Sequence, residues 1–366
     1  MTETAAPPLT IGRIVVPATV DAPDAGPFLE MVRLGNAVCL HDAGHDDLHQ
    51  EPLEALGFWQ DQRDWGQTGF WAERDGRILG AVTLRYAQDE TATTSDFDLL
   101  VDPEHWGEGV EEALLAAAEE EARALGRTVL QTWTLHRPGT TGPRLQPSTG
   151  WGEVPADDRQ TVFQLENGFT LEQVERNRAF DLRGSFALVE SMLAQALAFA
   201  GEDYRVVSWT APPTPEEFQD GYAYAISRMS TDVPQGGMVI EEEKWDAERV
   251  RRRDARIAAQ GQVVSVACVQ HVPTGVIAAY NELVIAADDR SGATHQYGTL
   301  VLKEHRGHRL GTIVKCANLL RWREIAPESP RVSTFNAEEN RPMLDINEAI
   351  GFTPVSYAGA WKKILA

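Results

Sequence analysis

The stretch Arg306-Gly307-His308-Arg309-Leu310-Gly311 reads as a tight turn that opens a helix. Ile313, Cys316, Ala317 and Leu320 follow at helical spacing. Such a turn presents unpaired backbone N–H groups and the positive end of a helix dipole, which is the equipment for holding a phosphate or pyrophosphate. The P-loop pattern G-x-x-x-x-G-K-S/T does not occur. The dinucleotide fingerprint G-x-G-x-x-G also fails, because Arg309 stands at its second glycine. Upstream, Glu282 interrupts an apolar run (Ala278, Ala279, Leu283, Val284, Ile285), and His295 and Tyr297 alternate on the approach to the turn. A carboxylate in apolar surroundings has its pKa raised, so proton transfer beside an anion site is the chemistry these residue types suit.

An internal repeat supplies the elements that must position these groups. LLVDPEHWGEG at 99–109 aligns without gaps on TLVLKEHRGHR at 299–309, so Leu100, Val101, Glu104, His105 and Gly107 recur 200 residues later. Each copy follows two β-rich runs joined by a turn, at Asp75-Gly76 and at Pro273-Thr274-Gly275. A helical pattern comes next in each, with Val110, Ala113, Leu114, Ala117 and Ala118 in the first. A strand (Thr128 to Leu135; Arg331 to Asn336) and a Gly-Phe pair (Gly168-Phe169; Gly351-Phe352) close each copy. The longer first copy carries a Pro/Gly-rich loop, Arg137 to Pro155. The chain is thus expected to be two copies of one α+β domain, 1–184 and 203–366, joined by an amphipathic helix within 185–202.

Composition narrows the function classes. With 33 basic and 55 acidic residues the net charge is −22, which argues against nucleic-acid or anionic-membrane binding, since both need a cationic face. Residues 1–184 carry 14 arginines, no lysine and 32 acidic groups, a net −18, which leaves −4 for the rest. Three distant cysteines (Cys39, Cys268, Cys316) suggest neither a disulfide framework nor a metal site, and Met1 to Pro8 lacks the pattern of a signal peptide. A cytoplasmic protein is expected.

The Arg306–Gly311 stretch resembles the pyrophosphate motif Q/R-x-x-G-x-G/A of the GNAT superfamily of acyl-CoA N-acyltransferases, with Arg309 in place of the usual middle glycine. Asn336-Ala337-Glu338-Glu339-Asn340, Met343, Asn347 and Ile350-Gly351-Phe352 resemble that family's C-terminal region. With the repeat, the whole chain resembles a tandem GNAT protein, an arrangement shared with mycothiol synthases. The resemblance implies two α+β domains, each a mixed, mostly antiparallel central sheet flanked by helices. It also implies acetyl-CoA as acyl donor, no metal, and direct attack of a small-molecule amine on the thioester. The implied donor site comprises Leu300, Val301 and Leu302, the turn Arg306, Gly307, His308, Arg309, Leu310, Gly311 and Thr312, and then Asn336 and Asn340, with Lys303 adding charge. Glu282 is the implied base, with His295 and Tyr297 near the thioester. Asn347 stands where the family often has an acidic Tyr, so Tyr357, water or no acid at all would serve the thiolate. Tyr222 to Asp246, with Met229, Asp232, Pro234 and Glu241 to Glu243, is the expected acceptor segment. The first copy has Trp106 and Glu111 where the second has Arg306 and Gly311. The N-terminal copy is therefore expected to have lost the donor and the C-terminal copy to keep it, in a monomer or homodimer. The alternative is a non-catalytic acyl-CoA-binding protein.

Overall fold

A computed structural model describes residues 8–365, so the segment read for a signal peptide lies largely outside the described residues. The chain divides into two compact units. Unit 1 runs to Val174 and takes in Gly237–Val239 and the stretch from Ala358 onward; unit 2 comprises Glu175–Gly236 and Ile240–Tyr357.

Unit 1 contains β1 (Thr10–Arg13), α1 (Gly26–Ala43), α2 (Pro52–Gln60), β2 (Trp65–Arg74), β3 (Arg77–Ala87), β4 (Thr94–Val101), α3 (Val110–Ala124), β5 (Val129–His136), the short strands β6 (Arg144–Leu145) and β7 (Val154–Pro155), α4 (Arg159–Glu166) and the start of β8 (Thr170–Asp181). Strands β1 to β5 lie in sequence order, antiparallel except for the parallel pair β4–β5. Asp75 (φ 53°) and Gly76 (φ 76°) make the β2–β3 turn with two positive φ values, as a two-residue hairpin requires. Alternation then sorts the side chains. Val82, Leu84, Phe97 and Val101 pack on Val110, Leu114 and Ala118 of α3, while Ala81 joins Phe28, Met31 and Trp59 beneath α1 and α2.

Unit 2 contains α5 (Ala187–Ala200), β9 (Tyr204–Ala211), α6 (Glu216–Ser227), α7 (Met229–Asp232), α8 (Ala247–Ala259), β10 (Gln262–His271), β11 (Ile277–Ala286), β12 (Thr294–Val301), α9 (Leu310–Ile325), β13 (Arg331–Ala337), α10 (Arg341–Ile350) and the start of β14 (Thr353–Ile364). β9 to β12 form an antiparallel meander, β12 pairs parallel with β13, and β13 pairs antiparallel with Glu175–Asp181 of β8. The mixed, mostly antiparallel sheet with flanking helices matches the sequence expectation in both copies. Asp246 caps α8 by accepting from the Arg249 N–H at 2.7 Å. The helix expected to join the domains, α5, buries Val189 and Ala196 in unit 2, beside Cys316 and Ile313 of α9. The last strand changes units: Phe352 belongs to the core of unit 2, whereas Trp361 and Leu365 belong to that of unit 1.

Candidate functional site

The two glycine turns share a backbone and differ in their side chains. Gly107 and Gly307 both have φ 86°, and the residues before each helix, Gly109 (φ 85°) and Arg309 (φ 59°), are both left-handed. A non-glycine residue in that region costs of order 1 kcal/mol, so Arg309 is held there by its surroundings. In unit 1 the Glu111 carboxylate, only 2% exposed, accepts the Gly107 N–H at 2.6 Å. That turn already carries an anion supplied by its own helix. In unit 2 the corresponding residue is Gly311, and among the described residues no side chain caps the start of α9. Ile346 approaches so closely that a Cβ at Gly311 would stand 2.9 Å from its Cδ1.

The unit 2 turn is also cationic. Arg306 is exposed and spends its guanidinium on two carbonyls, Nε to Val301 at 3.3 Å and Nη2 to Asp232 at 3.0 Å. Arg309 stacks over the Phe199 ring, 4.4 Å from its centroid. Lys303 lies 3.2 Å from the Asp232 carboxylate, which Arg228 also holds at 2.6 Å. Burial pushes the Asp232 carboxyl up, but these cations and Thr231 more than offset it and leave it below its ordinary value. Tyr204 lies tilted against His308 with centroids 5.0 Å apart and bonds His305 Nδ1 at 3.0 Å; burial and neighbouring His271 lower the pKa of His305.

The strand that leads into the turn parts from its neighbour. β12 pairs with β13 at Thr294–Val332 and His295–Ser333. At the next step side chains replace the ladder: Gln296 Nε2 donates to Thr334 Oγ1 at 2.8 Å, and Lys315 Nζ donates to Gln296 Oε1 at 2.6 Å. Lys315 is 1% exposed, and burial lowers its pKa to about 7. Leu300 and Leu302 are buried, Val301 is half-buried, His295 is half-buried and Tyr297 is 37% exposed. Asn336 and Asn347 meet, Nδ2 of Asn347 donating to Asn336 Oδ1 at 2.7 Å. Asn347 is fully buried and its Oδ1 has no protein partner. Asn340 precedes α10 and accepts from the Met343 and Leu344 N–H groups.

Glu282 sits at a bulge in the β11–β12 pairing, between Asn281 and Leu283. Its side chain is 4% exposed and lies 2.7 Å from Arg253 of α8. It also accepts from the Tyr222 hydroxyl and, through Oε2, from the Gly298 N–H at 3.1 Å. Arg253 donates to the same hydroxyl at 3.0 Å. Burial works against the Arg253 charge, but Glu282 more than offsets it and holds the guanidinium above its ordinary value. Burial and then Glu282 drive the Tyr222 hydroxyl well above its own. A carboxylate so engaged fixes the bulge, and the residue expected from the sequence as a base is buried and ion-paired with Arg253. Of the expected acceptor segment, Tyr222 is fully buried and Glu243 is tied to Trp245 at 2.9 Å and Arg249 at 2.5 Å.

Gly298 is required by Tyr280, whose ring atoms lie 2.6 Å from where a Cβ would stand. Gly298→Ala is expected to lower stability by about 1–3 kcal/mol through overpacking, read as a lower urea midpoint with unchanged slope. Sequence reasoning did not single out Arg253, Gly298, Gln296, Lys315 or Tyr204. The nearest signal for Arg253 was the run Arg251-Arg252-Arg253, which looks like a solvated helix face.

Two α+β units, each with a strand, a glycine turn and a helix beside parting parallel strands, define a tandem GNAT-type fold. Residues 38–139, within unit 1, match the model of the acetyltransferase (GNAT) family. A tandem GNAT protein from the clavulanic acid biosynthesis pathway is similar over 98% of each chain, at 23% identity and a TM-score of 0.72. A GCN5-related N-acetyltransferase from Sphaerobacter thermophilus aligns over 97% of this chain and 95% of its own, at 13% identity and a TM-score of 0.61. No curated protein matches the chain significantly. Among the described residues, no helix is long and apolar enough to cross a membrane.

Proposed function

We propose that the chain is an acyl-CoA-dependent N-acyltransferase whose donor site is the unit 2 turn, with acetyl-CoA as donor and the amine of a small molecule as acceptor. One observation carries the reading. The turn from Arg306 to Thr312 is open and cationic, while its twin in unit 1 is filled by Glu111. Backbone N–H groups of Gly307, His308, Arg309, Leu310, Gly311 and Thr312 would hold the pyrophosphate, with Arg306 and Lys303 adding charge. Leu300 to Leu302 offer backbone groups beyond the last β12–β13 pair. The orphaned Asn347 Oδ1 suits an amide N–H from outside the chain, so it fits a pantetheine arm steadied by Asn336 and Asn340. When bound, the donor supplies a thioester carbonyl for an amine to attack.

His295 and Tyr297 then take a proton from the acceptor's ammonium, which frees the amine to attack, or give one to the departing thiolate, and Glu282 acts by holding Gly298 and Tyr222 in place. The cysteines Cys39, Cys268 and Cys316 are free thiols, which suits the cytoplasm. A second reading, acyl-CoA binding without catalysis, draws on Asn347, which can donate a hydrogen bond but cannot surrender a proton.

Calorimetric titration with CoA is expected to give one site per chain. Arg306→Ala should weaken it about tenfold, and Arg306→Lys should restore part of that. Two equivalent sites, or binding indifferent to Arg306, would overturn the assignment. Thiol release from acetyl-CoA across a panel of amines separates the readings, because binding without turnover on any amine favours the second.

A further inference from the structure

The glycine turn of unit 1 is occupied by Glu111, and the unit holds a cavity of 340 Å³ between α1, α2 and one face of β2–β4. Its size falls within the roughly 300–1,000 Å³ typical of small-molecule sites. The register shows how that face is built. Thr83 pairs with Asp98 across β3–β4, and Gln67 pairs with Arg85 across β2–β3, so all four point to the side on which Ala81 meets α1. A sheet face covered by helices is ordinarily apolar, as it is around Phe28 and Trp59. Here it turns polar where the cavity begins.

Two charges face that space without each other. Asp98 lines the cavity and is exposed to water, while the protein packed around it pushes its carboxyl pKa up. Its protein hydrogen bond is a long one, from Thr83 Oγ1 at 3.4 Å. Arg85 is exposed and stacks over Trp65, 4.2 Å from the ring centroid. It acts on Asp98 electrostatically, and among the described residues no ion pair joins the two. Among the described residues the Asp98 carboxylate has no cation paired to it and Arg85 no anion, so both are available to a ligand in the cavity. Between and beside them the walls are apolar, including Met31, Phe58 and Trp59. Unit 2 shows that the vacancy is not forced by the fold. There the residue 200 positions beyond Asp98 is Gly298, and Tyr280 and Tyr222 pack edge-to-face at 5.8 Å on the same side of the sheet.

We propose that this cavity is a non-catalytic binding site for a small zwitterion with an apolar body, its ammonium on Asp98 and its carboxylate on Arg85. With the glycine turn of unit 1 occupied by Glu111, such a site recognises without reacting.

The test uses the full chain and three probes that share one ring and differ in charge: L-phenylalanine, 2-phenylethylamine and 3-phenylpropionate. By calorimetry, L-phenylalanine is expected to saturate one site per chain. The amine should bind about tenfold more weakly and the acid should not saturate. Asp98→Asn should weaken L-phenylalanine at least about tenfold. Arg85→Met should bring L-phenylalanine down to the affinity of the amine and leave the amine unchanged. Excess CoA should leave all isotherms as they are. Absence of saturable L-phenylalanine binding, or binding that survives both substitutions, overturns the proposal, as does displacement by CoA. Arg85 is exposed, so Arg85→Met carries the test even where Asp98→Asn disturbs the fold.

Discussion

Glu282→Gln is expected to destabilise the protein by about 3–5 kcal/mol, the usual cost of leaving a buried charge without its partner. The partner is Arg253, whose side chain is 12% exposed and whose charge is upheld by the Glu282 carboxylate. Glutamine still accepts from Gly298, yet it no longer neutralises the guanidinium or takes a charged bond from Tyr222. Arg253→Met alone strands the carboxylate and should cost a similar amount. The double variant Glu282→Gln/Arg253→Met should recover much of the loss, because neither ion is then left buried without the other. Urea denaturation of the three variants reads the coupling directly. Stability within about 0.5 kcal/mol of wild type for Glu282→Gln, with turnover abolished, would instead mark Glu282 as a chemical base.

Lys315→Met is expected to stabilise the protein at neutral pH by about 3 kcal/mol. The lysine is 1% exposed and makes its hydrogen bond to a neutral amide, Gln296. Burial lowers its pKa from 10.5 to about 7 in the folded state. Between those values the unfolded chain binds the proton and the folded chain does not, so stability rises with pH by about 1.4 kcal/mol per unit. This contribution is complete above pH 10.5 and lost as pH falls through about 7. Methionine fills a similar volume without that penalty, and the lost bond to Gln296 offsets part of the gain. Urea midpoints at pH 7, 8 and 9 should climb for wild type and lie flat for the variant. A flat wild-type profile with a weaker Lys315→Met would refute the account.

The repeat was legible because it is local. Each glycine turn is written within a dozen residues, and its strand and helix periods lie on either side, so fold class and turn followed from sequence alone. The Glu111 substitution was visible too, although not that its carboxylate would reach back to the Gly107 N–H. What the sequence hid depends on partners far along the chain. Nothing in the Arg251–Arg253 run marks the third arginine as buried against Glu282. Lys315 sits in an amphipathic pattern and reads as a solvated cation, whereas α9 turns it toward Gln296. Gln67, Thr83, Arg85 and Asp98 alternate along their strands as water-facing residues would, and only the placement of α1 and α2 over them makes a chamber.

The exchange of β14 bears on how the protein is made. Trp361, fully buried, and Leu365 complete the core of unit 1, yet both are synthesised after all of unit 2. During translation the first unit to emerge therefore waits with an apolar slot exposed until those residues arrive. A fragment cut after residue 184 or begun at residue 203 would leave one half without its final strand and the other with a surplus one, so the two halves are separable in sequence but not in biogenesis.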